Sequence, residues 1–76
     1  MKFRFHTGRE IVCGDRVFLA GEPGKIEAVL LPNTKEAEEF GCTETGGIVA
    51  IFPEGLGLVL ITDPENDEDL DFNTNG

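Results

Sequence analysis

The chain has 76 residues, which is enough for one domain and too few for a second. A domain of this length buries only about 60–65% of the surface of its unfolded chain, so a large enclosed substrate pocket would consume much of its core. Fifteen acids against six bases give a net charge of −9, and a field of this sign repels nucleic acid and anionic membranes.

The first half of the chain is predicted to form short strands separated by tight turns. Phe3 and Phe5 alternate with polar residues, which is typical of a strand that buries one face. Gly21-Glu22-Pro23-Gly24 has the composition of a turn, because proline presets one backbone angle and glycine admits a positive one. The strands predicted around this turn are 3–5, 10–13, 16–20 and 25–31.

One helical connector is predicted over residues 34–40. Asn33 is the expected N-cap, Glu36 stands three residues on in the capping-box position, and Gly41 fits a left-handed stop. The connector is expected to bury only Ala37 and Phe40.

The second half of the chain supplies the most apolar segments. The runs 48–52 and 58–62 are apolar at successive positions, which predicts two strands covered on both faces in the middle of a sheet. Leu70 and Phe72 alternate with Asp71 and predict a short closing strand. We therefore expect a mainly β domain over residues 1–72, a small barrel of five to seven short antiparallel strands, followed by a frayed C-terminus at 73–76.

Part of the sequence resembles the KOW type of SH3-like barrel. The residues that carry the resemblance are Gly14-Asp15-Arg16-Val17, the loop Gly21–Gly24 and the following strand Ile26–Val29. The opening Thr7-Gly8-x-x-Ile11 before Gly14-Asp15-Arg16-Val17 is also similar to small uncharacterised bacterial proteins. The resemblance implies an SH3-like barrel. Many KOW-type domains bind RNA through basic loops, but the loop here has only Lys25, so we expect no direct nucleic-acid binding.

Charge and cysteine content indicate the compartment and the partner. Residues 39–76 hold nine acids and no base, whereas residues 1–38 hold six of each. A field of one sign attracts basic proteins, although the same charge also serves solubility.

The sequence shows no secretory signal and no apolar run long enough to cross a bilayer, so we expect a cytoplasmic protein without membrane contact. There Cys13 and Cys42 stay free, with a structural disulfide as the alternative.

The residue types needed for catalysis or for metal binding are scarce. The chain has no serine, and its single histidine, His6, could form a nucleophilic pair only with Cys13 or Cys42. These three residues are also one ligand short of a zinc site. Asp67, Asp69 and Asp71 match the start of a calcium loop, but Phe72 replaces its glycine. We expect no catalytic residue, metal or cofactor.

The carboxylates are the remaining candidates for a functional surface. We predict that they form an acidic face that docks on a basic protein, with the domain acting as an inhibitor or immunity protein of a nuclease or other toxin. The alternative is a non-catalytic accessory domain of the translation or transcription machinery, bound through Gly21–Gly24 and exposed apolar residues. The oligomeric state is left open. The predicted face comprises Glu36, Glu38, Glu39, Glu44, Glu54, Asp63, Glu65, Asp67, Glu68, Asp69 and Asp71.

Overall fold

The computed structural model describes residues 3–73, and five antiparallel strands in one sheet form its framework. Helix α1 connects the second and third strands, and a 3-10 turn precedes the fifth. In chain order the elements are β1 Arg16–Leu19, β2 Glu22–Leu30, α1 Lys35–Glu39, β3 Gly47–Phe52, β4 Gly57–Ile61, the 3-10 turn Pro64–Asn66 and β5 Leu70–Phe72.

The strand order confirms the predicted mainly β class with one short helical connector. β1 pairs with β2, β2 with β3 and β3 with β4, and β5 returns to pair with β1, which gives the order β4-β3-β2-β1-β5. Within residues 3–73 the strand count is five, because the predicted strands 3–5 and 10–13 reduce to a single bridge between Arg4 and Glu10. The Asn73 N–H donates to the Arg16 carbonyl at 2.9 Å. Residues 74–76 of the predicted frayed end lie outside the described range.

The turn between β1 and β2 differs from the prediction. Ala20 and Gly21 form it, with φ angles of 50° and 83°, and two left-handed residues suit the twist of a two-residue hairpin. The predicted turn at Gly21–Gly24 is therefore wrong, since β2 already begins at Glu22. Pro23 is tolerated in the strand because the paired register with β3 starts only at Lys25, so no neighbour on that side requires its missing N–H.

Helix α1 also begins one residue later than predicted. Thr34, not Asn33, is the N-cap, and its hydroxyl accepts the Ala37 N–H at 3.2 Å. Asn33 instead takes a left-handed conformation, with φ of 61°. Ala37 is buried as expected, whereas Phe40 is 41% exposed and does not anchor the helix. Gly41 ends the helix with φ of 75°, which is the predicted left-handed stop.

Two apolar clusters lie on the two faces of the sheet. The larger one packs the N-terminal residues Phe3 and Phe5 and the closing-strand residue Leu70 against the inner face, around Phe52. The smaller one lies under α1 and comprises Leu30, Ala37, Cys42 and Val49. A bulge between Ile26 and Ala28 shifts the register of β2, so Ala28 and Leu30 face the helix while Ile26 stays in the larger core.

The two apolar strands take different places in the sheet. β3 lies inside it and is buried at all of its residues except the half-buried Ile51, as the sequence predicts. β4 is an edge strand, and its Leu58 is 61% exposed. The prediction of a central β4 is therefore wrong. Its apolar residues on the inner side belong to the core, while Leu58 faces solvent.

Candidate functional site

The eleven predicted acidic residues are all at the surface, and they lie on several separate elements. Asp67 is half-buried and the other ten are exposed. Glu36, Glu38 and Glu39 lie on α1, and Glu54 lies in the β3–β4 turn. The remaining seven occupy the loop before β3 and the segment from the end of β4 through β5.

Three of these carboxylates come together at one cleft. Glu44 from the loop before β3 and Asp63 and Glu65 from the chain after β4 line the same space of about 350 Å³. We call this site the acidic cleft. Arg4 is the one base among its lining residues, and the others are Phe3, Pro32, Thr45, Thr62 and Pro64. Three acids against one base give the lining of this cleft a formal charge of −2.

The backbone on both sides of the acidic cleft is fixed by local structure. Gly46 holds a left-handed conformation, with φ of 64°, and its N–H donates to the Cys42 carbonyl at 2.7 Å. The Thr45 hydroxyl donates to the Gly46 carbonyl at 2.9 Å. On the other side, Pro64 is buried at the start of the 3-10 turn. These contacts hold the carboxylates of the cleft on a structured rim.

The acids from Asp67 to Asp69 shape their own loop. The Asp67 carboxylate accepts the Asp69 N–H at 3.1 Å, and the Asp69 carbonyl accepts the Ala20 N–H at 2.8 Å. The second contact places this loop beside the β1–β2 turn. Asp67 therefore has a structural role as well as a charge, while Glu68 is exposed.

Asp71 forms a contact that attaches the N-terminal segment to β5. Its Oδ1 hydrogen-bonds with His6 Nε2 at 2.7 Å. On the neighbouring residue, the Arg9 guanidinium lies 3.7 Å from the centroid of the Phe72 ring, and that ring meets Phe5 edge to face. Asp71 is thus paired, unlike an acid that is free to contact a partner.

Glu54 lies in a second cleft whose charge has the opposite sign. This cleft encloses about 430 Å³ and contains two bases, Arg16 and Lys25. We call it the basic cleft. Its other lining residues are Pro23, Gly24, Ile51, Pro53 and Glu54. Glu54 is therefore separated from the acidic cleft, because it lies at the β3–β4 turn and the acidic cleft lies where β2 and β4 end.

Sequence reasoning missed the basic cleft, although the sequence contains a signal for it. Arg16 and Lys25 are direct partners in the β1–β2 register, and Lys25 is in turn opposite Ile51. This register follows once the hairpin turn is assigned to Ala20-Gly21. With the turn assigned to Gly21–Gly24, the two bases do not face each other.

Comparison with known proteins identifies no relative of this chain. No family model matches the chain, and neither the curated proteins nor the solved structures contain a match to it. What can be said about chemistry comes from the placement of the side chains.

The candidate catalytic and metal-binding residues are dispersed within residues 3–73. His6 bonds with Asp71, the Cys13 thiol lies 3.1 Å from the Glu27 carbonyl, and Cys42 is buried. Both cysteines are free thiols. In this part of the chain no three His, Cys, Asp or Glu side chains are grouped to hold a metal ion. No helix here has the length and apolar character needed to cross a membrane.

Proposed function

We propose that this domain is a small, non-catalytic, acidic protein-binding module that docks on a basic partner surface in the cytoplasm, as an inhibitor or immunity protein does. The observation that supports this proposal is the acidic cleft, where Glu44, Asp63 and Glu65 converge from two chain segments. The partner is a protein with a positively charged groove, such as a nuclease or another toxin. Neither nucleic acid nor a membrane is expected to bind, given the net charge of −9.

The energetic basis of the proposal is preorganisation. The backbone that carries the three carboxylates is already ordered, so binding has to order only their side chains, at a cost of about 0.5–1.5 kcal/mol each. The remaining acids of residues 39–76 add a long-range field that accelerates encounter with a cation-rich surface. Since such steering is screened by salt, the association rate should fall steeply as ionic strength rises.

A titration with a cationic nuclease at increasing salt tests this function. The test variant carries Glu44→Gln, Asp63→Asn and Glu65→Gln, and the control carries Glu10→Gln, Glu22→Gln and Glu27→Gln. Both variants lose three negative charges, and because the control also changes Glu10, which has a contact, and the half-buried Glu22, an amide spectrum of each variant must show an unchanged fold. We expect the test variant to bind at least about tenfold more weakly than the control, a difference of about 1.4 kcal/mol. Equal losses in the two variants, or an affinity that ignores ionic strength, would contradict the proposal.

A second candidate is a non-catalytic accessory domain of the translation or transcription machinery. The return of β5 to β1 and the 3-10 turn before β5 are compatible with the SH3-like barrel that the KOW-type resemblance implies. Leu56 and Leu58 are 54% and 61% exposed, and they offer apolar contacts outside the acidic cleft. Pull-down with ribosomes or RNA polymerase that persists in the acidic-cleft variant favours this candidate, and its loss favours the acidic module.

A further inference from the structure

The basic cleft contains two of the six bases of an acidic chain in adjacent positions. Arg16 and Lys25 are direct cross-strand partners on the outer face, and both are exposed. Neither side chain forms a hydrogen bond or an ion pair with another residue in the described range 3–73. In a chain with fifteen acids, two neighbouring cations that lack a carboxylate partner among the described residues are unexpected from composition.

This arrangement does not stabilise the fold. Like charges directly opposite each other on paired strands repel, and opposite charges at the same positions would attract. The carboxylate of Glu54 lines the same cleft from the β3–β4 turn, yet it is beyond ion-pair distance of both bases. An anion bound between Arg16 and Lys25 would relieve their repulsion.

An apolar surface adjoins the two bases. The cross-strand register continues from Lys25 to Ile51 and then to Leu58 on the edge strand β4. Pro23 and Pro53 form further walls of the cleft. One row across four strands therefore carries two positive charges at one end and two apolar side chains at the other.

We propose that the basic cleft binds an extended segment of a partner protein in which a carboxylate and an apolar residue are two positions apart, so that both side chains face the cleft. The carboxylate meets Arg16 and Lys25, and the apolar side chain packs on Ile51 between the two prolines. Glu54 repels any carboxylate of the bound segment that approaches its own side of the cleft. The carboxylates of that segment are therefore restricted to the side of Arg16. This site is separate from the acidic cleft and does not depend on the function proposed above.

A protein segment fits the site better than a nucleic acid does. Nucleic-acid affinity depends on several phosphate contacts, whereas this cleft has two cations and one opposing carboxylate. Single-stranded nucleic acid also stacks its bases on aromatic side chains, and none of the residues lining the cleft is aromatic. The charge of −9 repels a polyanion far more than a peptide with one or two carboxylates.

Titration of the isotopically labelled domain with short peptides, followed by amide NMR shifts, tests the inference. The probe is an eight-residue peptide that repeats the unit Asp-Thr-Leu-Thr, so that its aspartates and leucines share one face when it is extended, and the comparison peptide replaces each aspartate with asparagine. We expect the aspartate peptide to shift the amides of Arg16, Lys25 and Ile51, and to bind at least about tenfold more tightly than the asparagine peptide, because charged hydrogen bonds are lost in the latter.

Variants of the protein distinguish peptide binding by the two bases of the cleft from attraction by the total charge of the domain. Arg16→Gln and Lys25→Gln should each weaken binding of the aspartate peptide several-fold, whereas Lys35→Gln, which removes the same charge from α1, should leave it unchanged. All three side chains are exposed, so the fold should persist, as an unchanged amide spectrum outside the cleft would show. Equal binding of the two peptides, equal effects of the three variants, or shifts mapping elsewhere would overturn the proposal. If an oligothymidine displaces the aspartate peptide when the two are at the same concentration, the proposal is also overturned, and the cleft is a phosphate site.

Discussion

Replacement of Gly46 by alanine should destabilise the fold much more than the same change at Gly41. Both glycines have left-handed backbones, with φ of 64° and 75°, and this conformation costs an ordinary residue about 1–2 kcal/mol. Their surroundings differ. A Cβ on Gly41 meets nothing within 4 Å, whereas one on Gly46 would collide with the Leu30 carbonyl and lie 2.9 Å from the Pro32 nitrogen.

The magnitude of the difference follows from these contacts. The atoms that a Gly46 side chain would meet are mostly backbone, which cannot move aside as a flexible side chain can, so overpacking should add about 1–3 kcal/mol to the strain. Gly41→Ala should therefore cost about 1–2 kcal/mol and Gly46→Ala about 2–5 kcal/mol. A domain of this size has a total stability of about 4–11 kcal/mol. The Gly46 variant thus loses a large part of its margin.

Urea unfolding followed by far-ultraviolet circular dichroism measures both costs. The chain has no tryptophan or tyrosine, so intrinsic fluorescence is a poor probe of its unfolding. The melting temperature should fall by about 4–8 °C for each kcal/mol in a domain of this length. If Gly41→Ala and Gly46→Ala lower the free energy of unfolding equally, with unchanged m-values, the contact of Gly46 with Leu30 and Pro32 does not constrain the loop that carries Glu44.

Four further substitutions test other parts of the structure by the same unfolding measurement. Thr34→Ala removes the N-cap hydroxyl of α1 and should lower the free energy of unfolding by about 1 kcal/mol. An unchanged free energy of unfolding would reject Thr34 as the cap. Phe52→Ala should cost about 3–5 kcal/mol, because the ring is fully buried, whereas Leu58→Ala should stay within about 0.5 kcal/mol; similar costs would contradict the burial difference. Lys25→Glu should raise stability by about 0.2–1 kcal/mol at low salt by replacing repulsion of Arg16 with attraction, and a gain that persists in 1 M salt would have another cause.

The sequence predicted those elements whose local signals agree with the tertiary structure. The alternation of Leu70 and Phe72 correctly identified β5, and Gly41 correctly marked the end of α1. At the N-cap, two suitable residues were adjacent, and composition alone could not choose between Asn33 and Thr34. The structure uses the threonine hydroxyl and places Asn33 in a left-handed turn, which asparagine tolerates better than threonine does.

The β1–β2 turn shows why the remaining features were not predictable from local composition. Pro23-Gly24 carries the strongest local turn signal, yet the chain turns at Ala20-Gly21. A shift of one residue would reverse which side chains face the core. The observed register buries Val17 and Ile26, so tertiary burial outweighs the propensity of alanine against a positive φ. The basic cleft follows from this register, which explains why it was missed along with the turn.

The two clefts give the domain opposite charges at opposite ends of one sheet. The acidic cleft lies beside Pro32 and Asp63, where β2 and β4 end, and the basic cleft lies beside Pro53, where β3 turns into β4. The two clefts share no lining residue, so a ligand in one leaves the lining of the other uncovered. Binding at the two clefts should depend differently on salt, because the acidic cleft draws on the long-range field of the other acids in residues 39–76, whereas the basic cleft, which contains Glu54, acts through two cations and apolar contact. Ionic strength should thus release a partner from the acidic cleft before it releases a peptide from the basic one.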